Sequence, residues 1–168
     1  GGLHISQRNL TVSTCGIVPN MRRLADEKLQ ITLALSLHAS SQEKRKTLMP
    51  VAYKFDLKDV LDACRYYFEQ TGRRITFEYS LVGGVNDSSE DARELTELVK
   101  DLNCHINLIP CNQTDGRFVA PSQGRVSHFL EELKKRSLSA TVRRTLGEDI
   151  EGACGQLRAR YLGMQGGF

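Results

Sequence analysis

The chain has 168 residues, with 23 Lys and Arg against 20 Asp and Glu for a formal net charge of +3, 40% hydrophobic residues and five Cys. That length and a 26% charged fraction suit one globular domain whose core can do without disulfides, and they exclude a disordered chain. No run approaches the roughly 18 apolar residues of a membrane span, and Gly1-Gly2-Leu3-His4 lacks a signal peptide's apolar core, so a cytoplasmic protein is expected.

A strand-like segment at 9–14 is followed by Pro19, which suits the opening turn of a short helix carrying Val18, Met21, Leu24 and Ala25. Residues 31–37 (ITLALSL) are nearly continuously apolar, as in a strand covered on both faces. Asp56, with Asp59 three positions on, predicts the cap of a helix whose stripe is Leu57, Val60, Leu61, Cys64 and Phe68, ending at Thr71-Gly72. Residues 74–81 alternate at period two, and Gly83-Gly84 then gives a turn before a helix capped near Ser88, with Ala92, Leu95, Leu98, Val99 and Leu102 on one face. A short strand at 104–109, a polar loop to Pro121, a helix from Ser122 and a strand at 139–143 complete the series.

Repeated strand–helix–strand spacing predicts right-handed crossovers and a parallel sheet, open or barrel-like. Ser13-Thr14, Ser36, His38 and Asn112 fall at or just past the C-terminal ends of the strands. In parallel α/β architectures that edge binds ligands.

Cys15, Cys64, Cys104, Cys111 and Cys154 stand 49, 40, 7 and 43 positions apart, with no CxxC or CxxxCxxC run. Reduced thiols, mostly buried as small hydrophobes, are the plain expectation for four of them. Residues 73–103 hold four basic and seven acidic groups, whereas 104–147 hold seven basic and three acidic. Such an excess can face phosphate, but a solvated helix end explains Lys134-Lys135-Arg136.

Several segments are more specific than patterning. They are 11–19 (TVSTCGIVP), 35–39 (LSLHA), 76–79 (TFEY) with 84–87 (GVND), 107–110 (NLIP) with Asn112, and 141–144 (TVRR) followed by Asp149-Ile150 and 153–157 (ACGQL). In this order and spacing, from about Asn9 to Leu157, the chain resembles the RlmN/Cfr family of radical S-adenosylmethionine (SAM) RNA methyltransferases, which methylate adenine carbons. The fold implied is α/β, with parallel βα units forming part of a radical SAM partial (β/α)6 TIM-like barrel. In that family a CxxxCxxC segment holding a [4Fe-4S] cluster, a glycine-rich SAM segment and a helical accessory domain precede this region, and none of them is found in this sequence. The resemblance therefore implies that residues 1–168 are the C-terminal part of one catalytic domain, truncated at the N-terminus, which alone neither holds the cluster nor turns over. A first residue other than Met agrees with that expectation.

Adenine C2 is an electron-poor amidine carbon that does not displace a methyl from a sulfonium, so radical chemistry belonging to the cofactors carries the hard step. The resemblance assigns Cys154 as the methyl-accepting thiolate of an S-methylcysteine intermediate. A soft nucleophile between the small residues Ala153 and Gly155 suits that role, where composition alone would favour an inert buried Cys. The family's second, resolving Cys lies near the cluster segment, so none of Cys15, Cys64, Cys104 or Cys111 is assigned to it.

Ser13, Ser36, Leu37, His38 and Asn112 match the family's SAM-holding positions; polar strand caps, and for His38 a neutral imidazole bonded to backbone, are the alternatives. Cys15 stands where the family usually has Ser. Glu78 shares one side of its strand with Thr76 and Ser80, and a structural role there is preferred to a cofactor contact. Arg143-Arg144 meets RNA phosphate or a flipped-out nucleotide, or simply ends an exposed strand. The 83–87 turn is either an anion nest or a glycine turn before a capped helix.

The function implied is methylation of C2 of a specific adenine in 23S rRNA and in tRNA, with SAM, the [4Fe-4S] cluster and a reducing electron donor as the further requirements. The NLIP segment favours the C2 branch over the C8-methylating, Cfr-like resistance enzymes. A non-catalytic SAM- or RNA-binding remnant, and an unrelated parallel α/β enzyme with a phosphate-type ligand, are the other readings.

Overall fold

The computed structural model describes residues 6–112 and 118–143. Five strands, β1 (Thr11–Thr14), β2 (Thr32–Ser36), β3 (Ile75–Leu81), β4 (Cys104–Pro110) and β5 (Ala140–Val142), form one sheet in sequential order. All four neighbouring pairs are parallel. The connections contain α1 (Val18–Asp26), α2 (Gln42–Leu48) with α3 (Leu57–Thr71), α4 (Ser89–Val99) and α5 (Gln123–Lys135).

Sequential order in a parallel sheet has a geometric consequence. If every crossover is right-handed, every helix lands on the same face. The core shows this: Leu33, Leu35, Phe77, Tyr79, Ile106 and Leu108 pack in one cluster with Met21 of α1, Val60 and Cys64 of α3, Leu95 of α4 and Phe129 of α5. Tyr79 stacks on Phe129 with ring centroids 5.5 Å apart. The other face of β3 and β4 presents Thr76, Glu78, Ser80, His105 and Asn107, all half-buried. This corrects the two-sided covering expected for β2. Its apolar run has Leu33 and Leu35 under the helices, while the opposite face carries Thr32, Ala34 and Ser36, of which only Ala34 is buried.

The helix ends follow local chemistry. Pro sits in the first turn of α1, Ser88 and Asp91 form a reciprocal capping box on α4, and Gly72 ends α3 in the left-handed conformation at φ 66°. Asp56 is the N-cap residue of α3, but its side chain makes no cap bond. Gln42 does the work instead, accepting the Leu57 N–H through Oε1 at 2.8 Å and donating through Nε2 to Asp56 Oδ1 at 3.1 Å. Helix α2 itself was invisible in the sequence, because QEKRKTL has no apolar stripe. Lys135 and Arg136, at the end of α5, pair with Glu132 rather than forming a free basic patch.

The sidedness of the sheet is directly testable. Phe77→Ala should cost about 3–5 kcal/mol of stability, whereas Thr76→Ala, next to it on the other face, should cost less than about 1 kcal/mol. Denaturant unfolding of the two variants checks the contrast.

Candidate functional site

Strand register brings the polar residues into rows. Ser13 lies beside Ala34 and Ala34 beside Thr76, and Thr76 beside His105. One rung closer to the strands' C-terminal ends, Ser36, Glu78, Asn107 and Thr141 form a continuous row across four strands. Adjacent residues in such rows share a face, so these side chains all project away from the helices.

The rows are internally bonded. Asn107 Nδ2 donates to both carboxylate oxygens of Glu78, at 3.2 and 3.1 Å. His105 bridges Ser139 Oγ and Thr141 Oγ1, 2.9 Å from each. Burial first, and then Arg74, hold the His105 imidazole below its ordinary titration range. The sequence groups Thr76, Glu78 and Ser80 on one side and marks Asn107 only as part of the NLIP segment, while His105 goes unmarked. The signal was present in the alternation of CHINLI.

Of the residues expected at the edge, Ser13 is exposed on β1 and Ser36 is half-buried at the end of β2. Leu37 is fully buried in the core, and its N–H is given to Glu78 O at 3.0 Å. Its side chain cannot meet a ligand, so any contact falls to its carbonyl. His38, half-buried, follows directly. Asn112 is exposed just past β4, where the Cys111 N–H to Leu81 O bond of 2.9 Å prolongs the β3–β4 ladder. Arg143 is exposed and extends β5 through its N–H to Leu108 O at 2.8 Å. Ser13, Ser36, His38, Asn112 and Arg143 thus share the C-terminal edge of one sheet. Arg144 and Cys154 lie outside the described residues.

His38 is the most constrained member. It adopts φ 60°, a left-handed conformation unusual for a non-glycine residue. Its Nδ1 accepts the Ser80 N–H at 3.0 Å, and burial, helped by the nearby Arg45 charge, lowers its pKa to about 4. The ring is therefore neutral at physiological pH.

Arg45 supports the same edge from below. It is fully buried, donates from Nη2 to Cys15 O at 2.8 Å, and leaves Nε and Nη1 without partners. Gly16, at φ 95°, leaves the space that this guanidinium fills: a Cβ there would sit 2.9 Å from Nη2. The turn carrying Ser13 and Thr14 into α1 consequently requires glycine on two counts.

Of the four described thiols, two are buried as expected, whereas Cys15 and Cys111 are half-buried. Cys64 is buried and pushed up to about 12, and Cys104 to about 11, both chiefly by burial. No group of three or more His, Cys, Asp or Glu able to hold a metal occurs among the described residues. The described residues therefore do not fit an iron–sulfur cluster. They do fit SAM: hydroxyls, an amide and a neutral imidazole at one edge match its ribose, purine and amino-acid groups.

No family model matches the chain. It is 58% identical over 96% of its length to a probable dual-specificity RNA methyltransferase RlmN of Lachnospira eligens, and 54% identical over 98% of its length to the protein of that description in Clostridium perfringens strain 13. The chain spans about half the length of these curated relatives, 46% and 48%. The crystal structure of a radical SAM methyltransferase from Sphaerobacter thermophilus superposes with a TM-score of 0.87 at 46% identity, covering 92% of this chain and 46% of that one. A domain of a pyruvate-formate lyase-activating enzyme from Bacteroides vulgatus gives 0.62 at 17% identity, covering 80% of each chain, a likeness of fold alone. Sheet and superposition together give this chain the fold of the corresponding segment of that radical SAM methyltransferase. Within that likeness of fold the chain is similar, over nearly its whole length, to about half of each RlmN relative.

Neutral burial of His38 links it to stability. Its folded pKa lies below the unfolded value near 6.5, so the unfolded state binds more protons between the two and stability should fall as pH drops from about 6.5 through about 4. His38→Gln should flatten that part of the curve relative to wild type in denaturant titrations at several pH values. Gly16→Ala should destabilise by more than about 1 kcal/mol through the left-handed backbone and the Arg45 contact.

Proposed function

We propose that the natural protein containing this chain is a cytoplasmic radical SAM methyltransferase that methylates C2 of a specific adenine in 23S rRNA and in tRNA, drawing on a [4Fe-4S] cluster and a reducing electron donor. The observation supporting this most strongly is that four residues matching the family's SAM positions, Ser13, Ser36, His38 and Asn112, converge on one sheet edge in a chain 58% identical to an RlmN relative.

Bound SAM supplies an electrophilic methyl group and, with the cluster, the radical chemistry that adenine C2 requires. The residues of this chain hold and orient it. Ser13 and Ser36 offer hydroxyls from adjacent strands, Asn112 an amide from the loop after β4, and His38 a ring nitrogen between them. The Glu78–Asn107 pair lies on the same polar face, one rung inside the edge at His38 and Ser80. Cys154, as its thiolate, would be the acceptor of the methyl group that bound SAM would supply. Arg143, exposed at the end of β5, and Arg144 meet the RNA backbone or the flipped base.

Expression of the natural gene in a host lacking its own adenine-C2 methyltransferase should restore 2-methyladenosine in 23S rRNA and tRNA, read by mass spectrometry of digested RNA. Cys154→Ala should abolish both the RNA product and methyl transfer to protein. Appearance of 8-methyladenosine instead would move the assignment to the C8 branch, and S-methylation persisting at another Cys would remove Cys154 from its role.

A further inference from the structure

The turn at 83–87 has no ligand role in the reading above, yet it contains one of the most fully bonded side chains among the described residues. Asn86 is 0% exposed. Its Oδ1 accepts the Val82 N–H at 2.7 Å, and its Nδ2 donates to Ser80 O and to His38 O, each at 2.7 Å. Its own carbonyl accepts the Tyr79 hydroxyl at 3.1 Å. Both amide hydrogens are thus spent on carbonyls at the ends of two different strands. The backbone N–H groups at 83–86 are spent as well, Gly83 on Val119 O, Gly84 on Asp87 Oδ1, and Val85 and Asn86 on Val82 O, which argues against an anion nest.

The bond to His38 spans 48 positions of sequence and secures a residue whose backbone is intrinsically unfavourable at φ 60°. The ring is secured from the other side, since Ser80 N–H donates to Nδ1. A backbone N–H can only donate, so Nδ1 carries no proton and the neutral ring bears its hydrogen on Nε2. No second bond to the imidazole is found among the described residues.

We propose that Asn86 is a positioning residue that, through the His38 carbonyl and the end of β3, holds His38 as a fixed Nε2–H donor, so that the ligand at this edge meets it with a hydrogen-bond acceptor rather than an ammonium or hydroxyl hydrogen. The ligand half rests on the SAM reading; the positioning half does not. Glycine-turn chemistry alone would need neither the buried amide nor its reach to β2. The GVND segment therefore serves the site indirectly, as a clamp on one donor.

The test uses the natural protein in its cluster-loaded form, with 15N-labelled His for NMR and S-adenosylhomocysteine as a redox-inert probe in calorimetry. In the wild type, the His38 ring nitrogens should report the Nε2–H tautomer at pH 7. Asn86→Asp, which keeps the acceptor and loses both donated bonds, should mix the tautomers and weaken probe binding about tenfold. His38→Gln, which retains a distal N–H, should bind within about threefold of wild type, whereas His38→Leu should lose about tenfold, the weight of one hydrogen bond. An Nδ1–H tautomer in the wild type, or an unchanged His38 spectrum in Asn86→Asp, overturns the positioning role. Equal probe affinity in wild type and His38→Leu overturns the donor role. Should Asn86→Asp not fold, the wild-type spectrum and the two His38 variants decide. Absence of probe binding in the wild type removes the SAM reading and the ligand half with it, while the tautomer data still judge the clamp.

Discussion

Everything at the candidate site depends on the one-sidedness of the sheet. Four parallel pairings in sequential order confine the helices to one face, so β2, β3 and β4 commit alternate residues to the core and leave the others to a largely polar surface. A single-residue slip in any strand would exchange the two sets and bury Glu78 or Asn107 against Phe129 and Leu95. The core-facing apolar residues Ile75, Phe77, Tyr79 and Leu81 of β3 and Cys104, Ile106 and Leu108 of β4, all fully or nearly fully buried, make that exchange prohibitive. The hydrophobic effect therefore orients the polar row as firmly as it builds the core, without any of the polar residues contributing much to stability themselves.

Polar side chains on a half-buried surface still need partners, and the way these are found separates support from candidate ligand groups. Glu78 is held by Asn107, and His105 by Ser139 and Thr141, within the sheet. Arg45 is the costly exception, a buried guanidinium that among the described residues has no carboxylate beside it and two unpartnered nitrogens. Its bond to the Cys15 carbonyl and its fit under Gly16 hold the turn that carries β1 into α1. Its charge also opposes protonation of His38, the second contribution to that residue's lowered pKa after burial.

Much of this was legible in the sequence where one local pattern decided the outcome. Period-two alternation in 74–81 and 104–109, a Ser88 cap and a glycine stop at 72 each act within a few residues, and the elements appeared where those signals fell. What escaped reading depends on distant partners. The amphipathic stripe that would have announced α2 is absent, because Arg45 is its one fully buried residue. The α3 cap comes from Gln42, 15 residues away, and not from the Asp56 that the pattern favoured. Leu37 belongs to the core because it precedes His38 by one position, and a motif match does not distinguish a residue that offers its side chain from one that offers only its carbonyl. The clamp on His38 is more remote still, since nothing local in GVND marks Asn86 as the partner of a carbonyl 48 positions earlier.

For a sulfonium ligand the neutrality of this edge has a direct electrostatic meaning. SAM carries a sulfonium and an ammonium against one carboxylate, a net positive charge, and an imidazolium among its contacts would oppose binding at every pH where it formed. Burial of the ring, the Arg45 charge and the Ser80 N–H on Nδ1 all disfavour that cation. On the polar face β2 and β3 present one carboxyl side chain, Glu78, and no basic one. Arg143, the described basic residue proposed to meet RNA, is set apart from this arrangement, directly after β5 and beyond the β4 strand that carries Asn107. The neutral ring of His38 and the exposed guanidinium of Arg143 therefore sit at different strands of one sheet edge, the separation that the proposed methyl donor and RNA would need.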